Sequence, residues 1–273
     1  MSTPQIPRVL SIAGTDPTGG AGIHADLKSF AANGAYGMAV VTALVAQNTE
    51  GVRSVHIPPV EFLKEQLEAV SDDVTIDAVK IGMLATTDII DTVAEWLGNT
   101  HHGPVVLDPV MVATSGDRLL SAEAESALRR LLPDADLITP NVPELAVLAK
   151  RKPAETWMDV IDQAKTVAER YNVQVLAKGG HLDSTTVYDA LVSPEGEVTQ
   201  LEAPRVDTRN THGTGCSLSS AVAALYPQTK DWAQAVAQAK QWLTESLRAA
   251  DDLNVGRGHG PVNHFATLWA AEA

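Results

Sequence analysis

Apolar side chains recur at helical spacing in four stretches of the chain. Phe62, Leu63, Leu67 and Val70 form one stripe, and Ile89, Ile90, Val93 and Leu97 form a second. Ala127, Leu128, Leu131 and Leu132 make a third, closed by Pro133, and Val160, Ile161, Ala164, Val167, Ala168 and Tyr171 a fourth. Each stripe predicts an amphipathic helix with one buried face. Between them lie short, mostly β-branched runs that predict strands over 8–14, 38–46, 77–82, 104–109, 136–140 and 173–178. Near-continuous apolar strands alternating with amphipathic helices imply a parallel sheet covered on both faces. Thr186 to Ser193 and Glu197 to Glu202, separated by Pro194-Glu195-Gly196, depart from that alternation and predict an antiparallel hairpin at one sheet edge. The expected class is therefore α/β, a doubly wound and mostly parallel sheet forming a single domain over 1–273.

Composition narrows the function classes. The chain has 273 residues and a formal net charge of −14, which argues against a general nucleic-acid or membrane-surface binder. A 45% hydrophobic content and a mean hydropathy of −0.02 suit a globular protein with a large core. Cys216 is the one cysteine, and the eight histidines show no metal-ligand spacing, so a structural zinc site is not expected. The apolar run Val9 to Ala13 is too short for a signal-peptide core, and the expected location is the cytoplasm.

Two glycine-rich loops carry the candidate chemistry. Thr211-His212-Gly213-Thr214-Gly215-Cys216 runs into a small-residue helical stretch. Glycines let backbone N–H groups approach an anion, and a helix start favours negative charge, so this loop is a candidate phosphate cradle. Its bland alternative is a glycine turn before a packed helix. The second loop, Gly14 to Gly22, follows the first strand and precedes a helix over 23–32. It lacks the Lys-Ser/Thr pair of a P-loop and the spacing of the dinucleotide fingerprint. Close backbone contact with a small substrate and a plain strand-to-helix turn are its two readings.

Seven motifs in register extend this picture. They are Gly14-Thr15-Asp16-Pro17 with Gly19-Gly20-Ala21-Gly22, then Ala43 to Thr49, Lys80-Ile81-Gly82-Met83-Leu84, Asp108-Pro109-Val110-Met111, Thr139 to Glu144, Lys178-Gly179-Gly180-His181 and His212 to Cys216. Together they resemble the hydroxymethylpyrimidine/phosphomethylpyrimidine kinases of thiamine biosynthesis, in the ribokinase-like superfamily, across almost the entire chain.

The resemblance implies a ribokinase-like fold and two ATP-dependent phosphorylations of 4-amino-5-hydroxymethyl-2-methylpyrimidine, first to the monophosphate and then to the diphosphate. It implies ATP and Mg²⁺ as companions, a pyrimidine as the small-molecule partner and a homodimer. In the catalytic group it places Cys216 as the group taking the hydroxyl proton, Gly213, Thr214 and Gly215 as the cradle, and Lys178 as a positive charge on the phosphates. Near a helix N-terminus the Cys216 thiol is expected to have a lowered pKa. Gly180, Thr211 and Lys240, with Lys178, fall to the nucleotide. Asp108, Asn141 and Glu144 are oxygen ligands suited to Mg²⁺, although Asn141 also reads as a helix N-cap ahead of Pro143. Gln47 suits a ring with an amino group and ring nitrogens, and Gly14, Asp26, Met83 and Val110 complete the pyrimidine set. Asp26 also reads as a solvated helix carboxylate and Met83 as core. Val112 to Asp117 is expected to form a closing flap.

Two other readings stay open at this point. A pyridoxal kinase would share the fold and a hydroxymethyl-bearing ring but form only a monophosphate. A non-catalytic pyrimidine-binding regulator could use the same scaffold. The joint presence of Cys216, Lys178, Glu144 and Asp108 speaks against the latter.

Overall fold

A computed structural model describes residues 5–111 and 120–270. Eight strands form one sheet. β1 (Arg8–Ala13), β2 (Tyr36–Val41), β5 (Ala78–Ile81), β6 (Val105–Leu107), β7 (Leu137–Ile138) and β8 (Gln174–Lys178) run parallel. β9 (Thr186–Val192) and β10 (Val198–Pro204) pair antiparallel beyond β8. The order is β10-β9-β8-β7-β6-β5-β1-β2, so the expected hairpin occupies one edge.

Side chains alternate across the strands and divide the core in two. Leu10, Ile12, Val79, Ile81, Val105, Leu107, Val175 and Ala177 face α2 (Val60–Ser71), α3 (Thr87–Asn99), α4 (Ala122–Leu131), α5 (Val142–Ala149) and α6 (Trp157–Tyr171). Val9, Ala78, Val106 and Leu176 face α1 (Gly22–Ala32), α7 (Thr214–Thr229) and α8 (Trp232–Arg248). This period-two division is why the central strands read as unbroken apolar runs.

The run over 38–46 is not one strand. β2 ends at Val41, and the chain leaves the sheet to form β3 (Leu44–Asn48), which pairs antiparallel with β4 (Gly51–His56) as a separate two-stranded sheet. Tertiary bonds draw it away. The Thr42 hydroxyl donates to the Met83 carbonyl at 2.7 Å, the Thr15 amide donates to the Ala43 carbonyl at 2.9 Å, and the Val45 amide donates to the Thr15 hydroxyl at 2.9 Å. The expected flap over 112–117 lies outside the described residues. Among the described residues no helix is long and apolar enough to cross a membrane.

Candidate active site

The carboxyl ends of β1, β5, β6, β7 and β8 open on one side of the sheet, where loops converge in folds of this type. A cleft of about 640 Å³ lies there. Of the expected site residues, Gly14, Gln47, Met83, Asp108, Val110, Asn141, Glu144, Lys178, Gly180, Thr211, Gly213, Thr214, Gly215, Cys216 and Lys240 all line it.

Its centre is where two elements meet. Gly213 opens α7 in the left-handed region at φ +77°, with no side chain capping the helix and the Thr214 amide donating to the Thr211 carbonyl at 3.3 Å, a helix start whose N–H end suits an anion. A Cβ on Gly213 would lie 1.6 Å from the Gly20 carbonyl oxygen, so the two glycine loops pack backbone on backbone. Lys178, at the end of β8, places its Nζ 3.2 Å from where a Cβ on Gly215 would stand, and Asp108 Oδ2 lies 3.5 Å from the same point. Lys178 donates to Asp108 Oδ1 at 3.0 Å, and the Thr139 hydroxyl donates to that oxygen as well, also at 3.0 Å. Burial opposes the charge of Lys178, but Asp108 and then Glu144 hold its pKa above the ordinary value.

Glu144 and Asn141 cap α5 reciprocally. The Glu144 amide donates to Asn141 Oδ1 at 3.0 Å and the Asn141 amide donates to Glu144 Oε2 at 2.8 Å. Asn141 thus has its side-chain oxygen engaged by its own helix, as the N-cap reading expected, while it also lines the cleft beside Glu144. Glu144 is buried, and burial pushes its carboxyl up to about 7 although Lys178 pulls the other way. Asp108 and Glu144 are two hard carboxylates beside an anion cradle. Among the described residues no group of three or more His, Cys, Asp or Glu side chains could hold a metal. The donor set therefore fits an Mg²⁺ ion that arrives on phosphates and keeps its waters, and not an all-protein cage.

Two further expectations change, and Lys240 gains a partner. Cys216 is half-buried on the cleft wall, and burial pushes its thiol up to about 11, above the ordinary value, despite the nearby Lys80 charge. Desolvation outweighs the helix start that was expected to lower it. Asp26 does not line the cleft and is not solvated. It is fully buried beneath it, where it accepts from Lys80 Nζ at 2.8 and 2.9 Å, from Ser11 at 2.6 Å and from Ser220 at 2.7 Å. Lys240 is paired with Asp189 and also donates to the Val187 carbonyl, so its ammonium is held at the cleft wall.

A model of the phosphomethylpyrimidine kinase family matches residues 16–263. The chain belongs to this family. The thiamine biosynthesis multifunctional protein ThiED of Corynebacterium glutamicum is 57% identical over 97% of this chain, which spans only 35% of that protein. The hydroxymethylpyrimidine/phosphomethylpyrimidine kinase of Escherichia coli is 53% identical, with 95% of this chain and 98% of that one covered. Among solved structures, an ADP complex of Bacillus subtilis pyridoxal kinase matches at a TM-score of 0.89 and 33% identity, covering 97% of this chain and 99% of that one. The phosphomethylpyrimidine kinase of Clostridium difficile matches at a TM-score of 0.75 and 39% identity, covering 88% and 99%. The fold is that of these kinases, as the ribokinase-like resemblance implied.

Sequence reasoning passed over four groups in this phosphomethylpyrimidine kinase-family site. Lys80 is wholly buried in the middle of β5, and burial opposes its charge while Asp26 and Cys216 hold its pKa above the ordinary value. Its signal was a lysine inside the apolar strand Ala78–Ile81. Asp189 stands opposite Lys178 in the β8–β9 register. Asp16 and His212, one in each glycine loop, bond at 2.7 Å across 196 residues of sequence.

Proposed function

We propose that the protein transfers the γ-phosphoryl group of ATP to the hydroxymethyl oxygen of 4-amino-5-hydroxymethyl-2-methylpyrimidine, and then a second phosphoryl group to the resulting monophosphate, in thiamine biosynthesis. The observation that carries this reading is the meeting of Lys178 and Asp108 at Gly215, at the mouth of an uncapped helix, in one cleft with Gln47, Met83 and Val110. The names of the relatives in Corynebacterium and Escherichia support the substrate class.

The residues divide the work. Gln47, on β3, offers two donors and an acceptor to the ring, between the apolar walls of Met83 and Val110, while the Gly14 backbone closes one edge. Lys178 and the amides of Gly213, Thr214 and Gly215 hold the transferring phosphoryl group, and Gly180, Thr211 and Lys240 line the nucleotide half of the cleft. Mg²⁺, held through Asp108 and Glu144, would neutralise phosphate charge. Phosphoryl transfer is loose, so the hydroxyl proton leaves late. A thiol pushed up to about 11 is protonated at neutral pH, so Cys216 Sγ orients the hydroxyl by hydrogen bonding and takes no proton, which passes late to a phosphate oxygen and from there to water. The monophosphate, with a second pKa of about 6, needs no such help.

The enzyme is proposed to act in the cytoplasm as a homodimer, a reading supported by the exposed apolar side chains Tyr36, Leu44 and Ile57. Incubation with Mg-ATP and the pyrimidine, with products separated by chromatography, should give monophosphate and then diphosphate. A monophosphate from pyridoxal alone would make the protein a vitamin B6 kinase. Ligand-induced stabilisation without turnover would make it a binding protein.

A further inference from the structure

We propose that Asp16 and His212 are positioning residues that fasten the pyrimidine loop to the phosphate cradle, so that acceptor oxygen and phosphoryl group are held in line. The inference rests on the functional reading above and assigns a task to two residues outside its machinery.

Asp16 is fully buried in the loop that follows β1, and each of its oxygens is engaged. Oδ1 accepts from the Thr18 amide at 2.9 Å and the Thr18 hydroxyl at 2.7 Å. Oδ2 accepts from the Gly20 amide at 3.1 Å, the Ala21 amide at 2.8 Å and His212 Nε2 at 2.7 Å. The first four bonds shape the loop, and the fifth leaves it. His212 is the residue immediately before Gly213, and its ring lines the cleft. Its own backbone is fixed from the other side, where the His212 amide donates to the Gly260 carbonyl at 3.0 Å. The contact is close along its length. A Cβ on Gly20 would lie 2.5 Å from His212 Cδ2, and one on Gly213 would lie 1.6 Å from the Gly20 carbonyl oxygen.

A buried carboxylate is costly unless paired and hydrogen-bonded, and Asp16 meets both conditions. Burial works against its charge, but the bonds from His212 and Thr18 hold its carboxyl below the usual range. Lys28, whose Nζ donates to the Gly19 carbonyl at 2.8 Å, is the other cation near this carboxylate. Asp16 to His212 therefore joins Gly14, Ala21 and Gly22 on one side to Gly213, Thr214 and Gly215 on the other, beside the backbone packing of Gly213 on Gly20 and the bond from the Gly22 amide to Cys216. The loops each carry one reactant, so a shift between them spoils alignment without removing any contact to either ligand. Displacements of about 1 Å can cost about 10²-fold in rate.

The test compares His212→Ala, His212→Gln and Asp16→Asn with the unaltered protein. Gln places an Nε2 donor close to where the imidazole Nε2 stands, so it can restore the bond. His212→Ala should lower kcat for pyrimidine phosphorylation by about 10²-fold while KM for ATP and for the pyrimidine change less than about threefold. His212→Gln should recover most of the loss. The double variant Asp16→Asn/His212→Ala should be no worse than the poorer single one. Equal loss in the Ala and Gln variants, or a loss confined to KM, would overturn the proposal. Amide hydrogen exchange over residues 14–22 gives a readout that needs no substrate. Protection should fall in His212→Ala and return in His212→Gln, and unchanged protection in His212→Ala would overturn the fastening on its own. Absence of turnover in the unaltered protein would instead sink the substrate assignment and leave exchange to decide the fastening.

Discussion

Glu144 sits in a low-dielectric wall with Asp108 nearby, and Lys178 together with the Asn141 and Met111 amides draws its proton away without offsetting burial. Its folded pKa of about 7 lies above the ordinary 4.5, so between those values the native state holds a proton that the unfolded chain has lost. Stability therefore falls as pH rises from 5 to 8, by up to about 3 kcal/mol from this group. In urea titrations of the ligand-free protein, Glu144→Gln should flatten that slope, and identical slopes in both proteins would refute the assignment. Cys216 follows the same rule with the opposite consequence for chemistry. Its thiol, pushed up to about 11 by burial, leaves about one molecule in 10⁴ as thiolate at neutral pH. Alkylation of Cys216 by iodoacetamide should accelerate with pH well beyond 9, and Cys216→Ser should slow the first transfer more than the second. Equal single-turnover losses in both steps would contradict the orienting role. The residue types at these positions were legible in the sequence, but their charge states were not. A helix start and a burial penalty act on Cys216 in opposite directions, and burial is a property of the packed fold.

At the scale of elements, the two glycine loops pack so closely that their backbones touch. Gly213→Ala would put a methyl group 1.6 Å from the Gly20 carbonyl and force a left-handed conformation on alanine. The variant should lose at least about 10²-fold in kcat, with Tm lowered, as followed by steady-state kinetics and thermal unfolding. Near-normal turnover would show that the loops need not pack so closely. The helices and the parallel strands were legible because their periodicity is local, and the 186–202 hairpin because Pro194-Glu195-Gly196 interrupts two β-rich runs. The break at Thr42 was not. Met38 to Ala46 is one apolar run, and what divides it is bonding from Thr15 and to Met83, residues remote in sequence. The same limit hid Asp26. Its helix position reads as solvated, yet Lys80 and Ser11 on one face of the sheet and Ser220 on α7 converge on it from three other elements.

For the molecule as a whole, a chain of net charge −14 gathers Lys80, Lys178, Lys240 and Arg205 around the cleft, where they offset the carboxylates of Asp108, Asp189 and Glu144 and spare phosphates the repulsion of the overall field. The far side of the β3–β4 sheet carries another whole-molecule feature. Val45, Gln47, Val52 and Val55 line the cleft, whereas Leu44 on the opposite face is 49% exposed. Sedimentation equilibrium should report a dimer, and Leu44→Glu should shift it toward monomer; a monomer at all concentrations would remove the homodimer from the account. The central claim, that one cleft phosphorylates the pyrimidine alcohol and then its monophosphate, is tested most directly by ³¹P NMR of the protein with Mg-ATP and the hydroxymethylpyrimidine. The account predicts a monophosphate signal first, then a diphosphate that grows after a lag while excess alcohol competes for the cleft. A time course with no pyrimidine-bound phosphorus, or one that halts at the monophosphate, would contradict it.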